Sequence, residues 1–272
     1  PEMISRGRSQ KFLIFFMQKP KILLTNDDGI NAPGIVTLAE SLSDFAEISI
    51  VAPLFEMSAM GHAITISDPL KVTEIFKDDA HFGWAVGGTP ADCVKLAING
   101  GLVERPDLVI SGINQGANVG VDIIYSGTVS AAYEGTILSI PSMAISLDSF
   151  VQKDFRAAGK IAHIMAERIL KEGLPEGTLL NVNVPAGDYS SFKGFSVTRQ
   201  GSGTYKEKMD RREDPRKRVY YWLSGTRSYE NPDPNMDENA VRAGYVTLTP
   251  LHYELTNTGY MQALKSWELK LG

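Results

Sequence analysis

The chain has 272 residues, with 27 Lys and Arg against 32 Asp and Glu for a formal net charge of −5, and it is 43 % hydrophobic and 22 % charged, an ordinary globular balance. A single cysteine, Cys93, excludes a disulfide scaffold and suits a reducing compartment, so a cytoplasmic protein is expected. No apolar run approaches the ~18 residues that span a bilayer, a pI near 5.5 disfavours nucleic-acid binding, and His62, His81, His163 and His252 show no zinc-type spacing.

In chain order, residues 1–19 read as an appendage, basic at the start and apolar from Phe12 to Met17. They lack the length and small-residue cleavage site of a secretory signal. Met17 looks like a natural start, the alternative being an arm that packs Phe12, Phe15 and Phe16 on a neighbour. Lys21 to Thr25 is a continuous apolar run that stops at Asn26-Asp-Asp-Gly29, the pattern of a buried parallel strand. A helix is expected from Pro33 to Leu42 and a second buried strand from Ala46 to Ala52. Trp84-Ala-Val breaks at Gly87-Gly88, where Thr89 can cap a helix that opens on Pro90. A strand over Asp107 to Ile110 ends at Ser111-Gly112. Thr128 to Leu138 reads as helix, Met143 to Leu147 as strand, Phe155 to Leu170 as helix and Thr178 to Val184 as strand. This alternation predicts an α/β, Rossmann-like three-layer core over 20–185, with a mostly parallel sheet between helices. From 186 to 272 the texture changes. A charged stretch (Lys206 to Arg218), an apolar ribbon (Val219 to Leu223), an Asn/Asp/Pro-rich loop and a strand-like run (Val241 to Leu251) fit a β-rich extension with a hairpin arm.

Doubly wound sheets bind ligands at the carboxyl ends of their strands. Polar, glycine-bearing loops fall at such ends at Asn26 to Gly29, Leu54 to His62 and Ser111 to Thr128. Asp27 and Asp28 are adjacent carboxylates, which disfavour joint ionisation unless a cation neutralises them. The other candidate donors, Ser58 and Asn114, also carry oxygen, which favours Mg²⁺ or Mn²⁺ over zinc. Asp-Asp-Gly also suits a plain solvated turn. Ser111 to Gly120 is glycine- and asparagine-rich, and Tyr125-Ser-Gly-Thr128 reads as a helix entry whose N–H groups and hydroxyls suit an anion. The segment is neither a P-loop nor a dinucleotide fingerprint. A plain capped helix is the alternative. His62, His163, His252 and Cys93 read as structural, and the mixed charges of 206–218 as a solvated or subunit-bridging arm.

These loops together resemble the survival protein E (SurE) family of nucleotidases. The segments that carry the resemblance are ILLTNDDGINAPGI (Ile22 to Ile35), VAPLFEMSAMGHAIT (Val51 to Thr65), GGTPADCVKLAI (Gly87 to Ile98), PDLVISGINQGANVGVDIIYSGTVSAAYEG (Pro106 to Gly135), NVNVP (Asn181 to Pro185) and AVRAGYVTLTPLHYELT (Ala240 to Thr256). The resemblance implies a metal-dependent phosphomonoesterase that hydrolyses nucleoside 5′- and 3′-monophosphates, and short polyphosphate in some members, by direct attack of a metal-activated water. It implies one divalent ion per subunit, Mg²⁺ or Mn²⁺, on Asp27, Asp28, Ser58 and Asn114. It places Asn118, Ser126, Gly127 and Thr128 at the phosphate. On that resemblance Asp27 and Asp28 are the expected catalytic pair, with Asp27 the first choice to orient or deprotonate the water. It also implies a homodimer or homotetramer with the arm clasped between subunits, and no nucleic-acid duplex or membrane partner. Many members carry Arg-Ser-Gly around the serine, where this chain has Met57-Ser58-Ala59. An aspartyl-phosphate phosphatase and a nucleotide-sensing module that binds without turnover are the rival readings.

Overall fold

The computed structural model describes residues 19–203, 205–228 and 231–269, so the expected appendage, apart from Lys19, lies outside the described residues. The chain folds around a nine-stranded sheet. Its strands are β1 (Lys21–Thr25), β2 (Glu47–Pro53), β3 (Val72–Lys77), β4 (Ala80–Val86), β5 (Leu108–Gln115), β6 (Ser142–Asp148), β7 (Thr178–Pro185), β8 (Phe195–Val197) and β11 (Val246–His252). The order is β3-β4-β2-β1-β5-β6-β7-β11-β8. Strands β4, β2, β1, β5, β6 and β7 run parallel, while β3 and β11 are antiparallel to β4 and β7. The chain moves from β1 to β2 on one side and later to β5 on the other. The strand order therefore reverses at β1, the place where such sheets open a crevice.

The continuous apolar runs exist because both faces are covered. Ile22 and Leu24 of β1 point into one cluster with Ile35, Leu38 and Leu42 of α1 (Pro33–Leu42) and Ile161, Met165 and Ile169 of α5 (Arg156–Glu172). Leu23 points the other way, into a cluster with Cys93, Val94 and Ala97 of α2 (Pro90–Asn99) and Ala131 of α4 (Gly127–Ile137). Period-2 alternation in β1 thus feeds two layers at once. The expected strands and helices of this region are present, most with ends shifted by a residue or two. Thr89 caps α2 in a full capping box, its hydroxyl accepting from Asp92 N–H while Asp92 accepts from the Thr89 N–H, with Pro90 opening the helix.

Three expectations fail for identifiable reasons. Strand β5 does not stop at Ile110 but runs through Ser111-Gly112 to Gln115. Its register with β6 shifts after Ser111 and resumes at Asn114 opposite Ser146. Gly112 permits this, since a Cβ there would stand 2.3 Å from the Ile145 carbonyl oxygen. Asn114 therefore sits on a strand rather than in a loop. Strand β3 and the full length of β4 were not expected. Their two-residue turn uses Asp78 and Asp79, both at positive φ (49° and 61°), a primed hairpin turn without the usual glycine. The run Val241 to Leu251 is split. Val241 belongs to α6 (Asp237–Arg242), Gly244 at φ 95° breaks the chain, and β11 starts at Val246.

Beyond residue 185, β8 and β11 complete the main sheet, while β9 (Tyr205–Glu213) and β10 (Val219–Arg227) form a separate antiparallel hairpin. Asp214 closes its turn by accepting from the N–H groups of Arg216 and Arg218 at 2.8 and 2.9 Å. Two further helices are short: α3 (Asp122–Tyr125) is a single turn before α4, and α7 (Thr258–Lys265), after β11, has no buried residue.

Candidate active site

The order β2-β1-β5 puts three loop regions side by side at the carboxyl edge. Asp27 and Asp28 follow β1. Met57 N–H donates to the Asp27 carbonyl at 2.7 Å, which lays the loop carrying Ser58 along the β1 end. On the other side Gln115 N–H donates to Asp28 Oδ2 at 3.3 Å, so the end of β5, with Asn114, touches the pair directly.

Asp27 is buried and lies under the N-terminus of α4. Thr128 Oγ1 donates to Asp27 Oδ1, and Ser126 caps the helix by accepting from Val129 N–H at 3.1 Å. Gly127 is required for this approach. A Cβ there would stand 2.8 Å from Asp27 Cβ and 3.0 Å from its Oδ2. Asn118 is also buried, but it is tied toward β6 and β7. Its Nδ2 donates to Ser146 Oγ, its N–H to Asn183 Oδ1, and its carbonyl accepts from Asn181 and Asn183. The structure thus brings Asp27, Asp28, Gly127 and Thr128 into one knot, with Ser58 and Asn114 on its two flanks. Asn118 is held in the adjoining asparagine web rather than against the pair.

Electrostatically the pair is strained. Burial pushes Asp27 upward, opposed by the Thr128 hydroxyl. Burial first, and then the charge of Asp27, raise Asp28 to about 6. Glu56 adds to both. Adjacent desolvated carboxylates of this kind are relieved by a cation. The other donors are arranged to suit one. Ser58 Oγ donates to Glu56 Oε1 at 2.7 Å, so the hydroxyl oxygen keeps its acceptor capacity. Asn114 spends its Nδ2 on the Gly116 carbonyl at 2.7 Å, leaving Oδ1 as an acceptor. An all-oxygen set fits a hard divalent ion. Among the described residues no group of three or more His, Cys, Asp or Glu side chains gathers to hold a metal; the expected set contains only two such residues.

Sequence reasoning missed Glu56, Gln115 and Lys153. Glu56 and Gln115 stand beside expected ligands, a positional signal that could have raised them. Lys153 is far away in sequence and gave none. His62 is tied to α4. Its Nε2 meets Glu134 Oε2 at 3.1 Å, and Lys95 Nζ donates to Oε1 at 2.6 Å. Burial works to raise the Glu134 carboxyl, but these two bonds outweigh it and hold it below its ordinary value. His163 Nδ1 meets the Ser41 carbonyl between α5 and α1. Cys93 is fully buried, and burial pushes its thiol well up, the opposite of a nucleophile.

A doubly wound sheet with adjacent carboxylates at its switch point, Asp27 buried and Asp28 half-buried, and a helix N-terminus against them defines the class of α/β protein that takes its ligands in such a crevice. The profile of the family described as Survival protein SurE matches residues 22–207, and the chain belongs to that family. It is 47 % identical over 249 residues to the 5′-nucleotidase SurE of Syntrophobacter fumaroxidans, covering 92 % of this chain and all of that one. It is 50 % identical over 251 residues to the 5′-nucleotidase SurE of Symbiobacterium thermophilum, covering 91 % and 98 %. The crystal structure of the SurE protein from Aquifex aeolicus superposes with a TM-score of 0.79 at 42 % identity, covering 90 % of this chain and 98 % of that one.

Proposed function

We propose that this chain, a SurE-type phosphomonoesterase acting on nucleotides, hydrolyses nucleoside 5′-monophosphates, 3′-monophosphates and short polyphosphate by direct attack of water at phosphorus. The observation that carries the proposal is the contact between Asp27 and Thr128. It joins a desolvated carboxylate pair to a capped helix N-terminus, so a cation and a phosphate are favoured within one small volume.

Asp27, Asp28, Ser58 Oγ and Asn114 Oδ1 would hold one Mg²⁺ or Mn²⁺ per subunit, which when bound supplies positive charge for the phosphate and acidifies water. The chain's own residues do the rest. Thr128 fixes the orientation of Asp27, which orients the attacking water and accepts its proton. The N-terminal turn of α4, Ser126 to Thr128, faces charge that develops on the equatorial phosphoryl oxygens, and stabilising that charge does most of the work in phosphoryl transfer. Asn118, locked by Asn181, Asn183 and Ser146 in the adjoining web, would contribute to the phosphate from β7's side of the crevice.

The exposed Met209, Tyr221, Trp222 and Leu223 of the hairpin support its clasping a second subunit, in a homodimer or homotetramer. A buried lone thiol supports a cytoplasmic site of action. Among the described residues no helix is long and apolar enough to cross a membrane.

The test is phosphate release from a panel of 5′- and 3′-nucleoside monophosphates by chelator-stripped protein, with nothing, Mg²⁺ or Mn²⁺ added back. Metal-dependent release is expected. Saturable nucleotide binding without release under any metal would replace the proposal with a binding module, and a trapped phosphoaspartate would replace direct attack.

A further inference from the structure

Between β6 and α5 the chain places a cation beside the carboxylate pair. Lys153 Nζ donates to Gln115 Oε1 at 3.0 Å. Gln115 is a hub. Its N–H donates to Asp28 Oδ2, and its Nε2 donates to the carbonyls of Phe150 at 2.9 Å and Gln152 at 3.4 Å. Residues 149–153 are ordered from within as well, since Ser149 Oγ accepts from the N–H groups of Val151 and Gln152. Gln152 Oε1 in turn accepts from Gly187 N–H at 2.9 Å. The ring of Phe150 lies close against Gly116, where a Cβ would stand 2.5 Å from its Cε1. The segment is thus clamped to the end of β5, and Lys153 is brought to the Asp28 side of the site.

The ammonium is not neutralised there. Its sequence neighbour Asp154 is taken by Arg156, whose Nε donates to Oδ1 and Oδ2 at 2.9 and 3.0 Å and whose Nη2 donates to Oδ2 at 2.5 Å. Among the described residues no carboxylate forms an ion pair with Lys153; its partner is a neutral amide, which orients the charge without cancelling it. The charge is nonetheless felt by Asp28, which it pulls down. A fixed cation next to a divalent-ion site weakens that site by like-charge repulsion. Its placement makes electrostatic sense toward an anion that arrives together with the metal.

We infer that Lys153 is a substrate-binding residue, its ammonium aimed by Gln115 at the phosphate oxygens of the nucleotide on the Asp28 side of the site. This rests on the phosphomonoesterase reading above, and the experiment separates the two. Inorganic phosphate is titrated calorimetrically into Mn²⁺-loaded protein for the wild type, Lys153→Met and Lys153→Arg, and Mn²⁺ alone is titrated into each metal-free protein. Nucleoside monophosphate turnover is measured in parallel. Lys153→Met is expected to weaken phosphate binding about tenfold or more, as loss of a bond to a charged group does, and to raise KM by a similar factor with a smaller change in kcat. Its Mn²⁺ affinity should be unchanged or tighter, and Lys153→Arg should bind phosphate within about threefold of wild type. The inference is overturned if Lys153→Met binds phosphate as the wild type does, if the wild type binds none, or if the variant loses Mn²⁺ and phosphate in parallel. Lys153-dependent phosphate binding without nucleotide turnover would sustain the inference and sink the reaction; turnover with a silent Lys153→Met would do the reverse.

Discussion

The carboxyl edge of β1 and the β9–β10 hairpin are built from the same chain on opposite terms. At the β1 edge the backbone and side chains are held from several directions. Met57 N–H grips the Asp27 carbonyl, Thr128 grips its carboxylate, Gln115 N–H grips Asp28, and Asn26 Nδ2 reaches the Gly29 carbonyl. Apolar layers close both faces behind them. The hairpin is held by its own ladder and by solvent-facing ion pairs such as Lys208–Asp210 and Arg211–Glu213, each contributing little in water. The side chains of Tyr220, Tyr221 and Trp222 lie open. The difference teaches that fixing a side chain in place takes several independent constraints converging on it, whereas a hairpin held by its own ladder keeps apolar surface in the open.

The contrast can be broken or sharpened from its strong end to its weak one. Asp28→Asn should lower metal-dependent turnover by ~10²-fold or more with an unchanged circular dichroism spectrum; near-normal turnover would sink the metal assignment. Gly127→Ala forces a methyl against Asp27 and should cost about 1–3 kcal/mol of stability, together with much of the activity, read by denaturant melts and kinetics. In metal-free protein Asp28, raised to about 6, keeps its proton in the folded state at pH values where the unfolded chain has lost it. Stability should therefore fall as pH rises from about 4 through 6, by on the order of 2 kcal/mol relative to Asp28→Asn. Saturating Mn²⁺ should abolish that loss. Thr89→Ala removes the α2 cap and the hydroxyl bond to the Ala63 carbonyl, for a cost of about 1 kcal/mol. At the weak end, Trp222→Ser with Leu223→Ser should change unfolding of the isolated subunit by less than about 0.5 kcal/mol while reducing the mass measured by light scattering. A large loss of subunit stability would show that the hairpin carries core after all.

Legibility followed how local the signal was. The runs of β1, β7 and α1, the Thr89-Pro90 helix start and the Ser126 cap each depend on a few neighbouring residues, and all can be read directly. The adjacent Asp27 and Asp28 are equally plain as a carboxylate pair at a strand end, although Asp-Asp-Gly by itself suits a solvated turn as well as a cation. The continuation of β5 past Ser111-Gly112 was hidden because glycine ordinarily reads as a break, and only the Ile145 carbonyl opposite shows why it is needed. The β3–β4 hairpin was hidden because its turn carries Asp-Asp rather than a glycine pair. Asn118 was visible as a residue of the glycine-rich loop, but the web that anchors it is drawn from β6 and β7, more than sixty residues away by the Asn183 contact.

What the sequence by itself determined is the α/β alternation, the polar, glycine-bearing segments at the strand ends and the oxygen character of the candidate donors, since periodicity and residue type are properties of short segments. Only the tertiary structure decided which oxygens are desolvated, that Ser58 donates to Glu56, and that Lys153 is bound to Gln115. Those outcomes depend on which strands lie side by side, and strand order is set by packing over the whole sheet rather than by any stretch of residues.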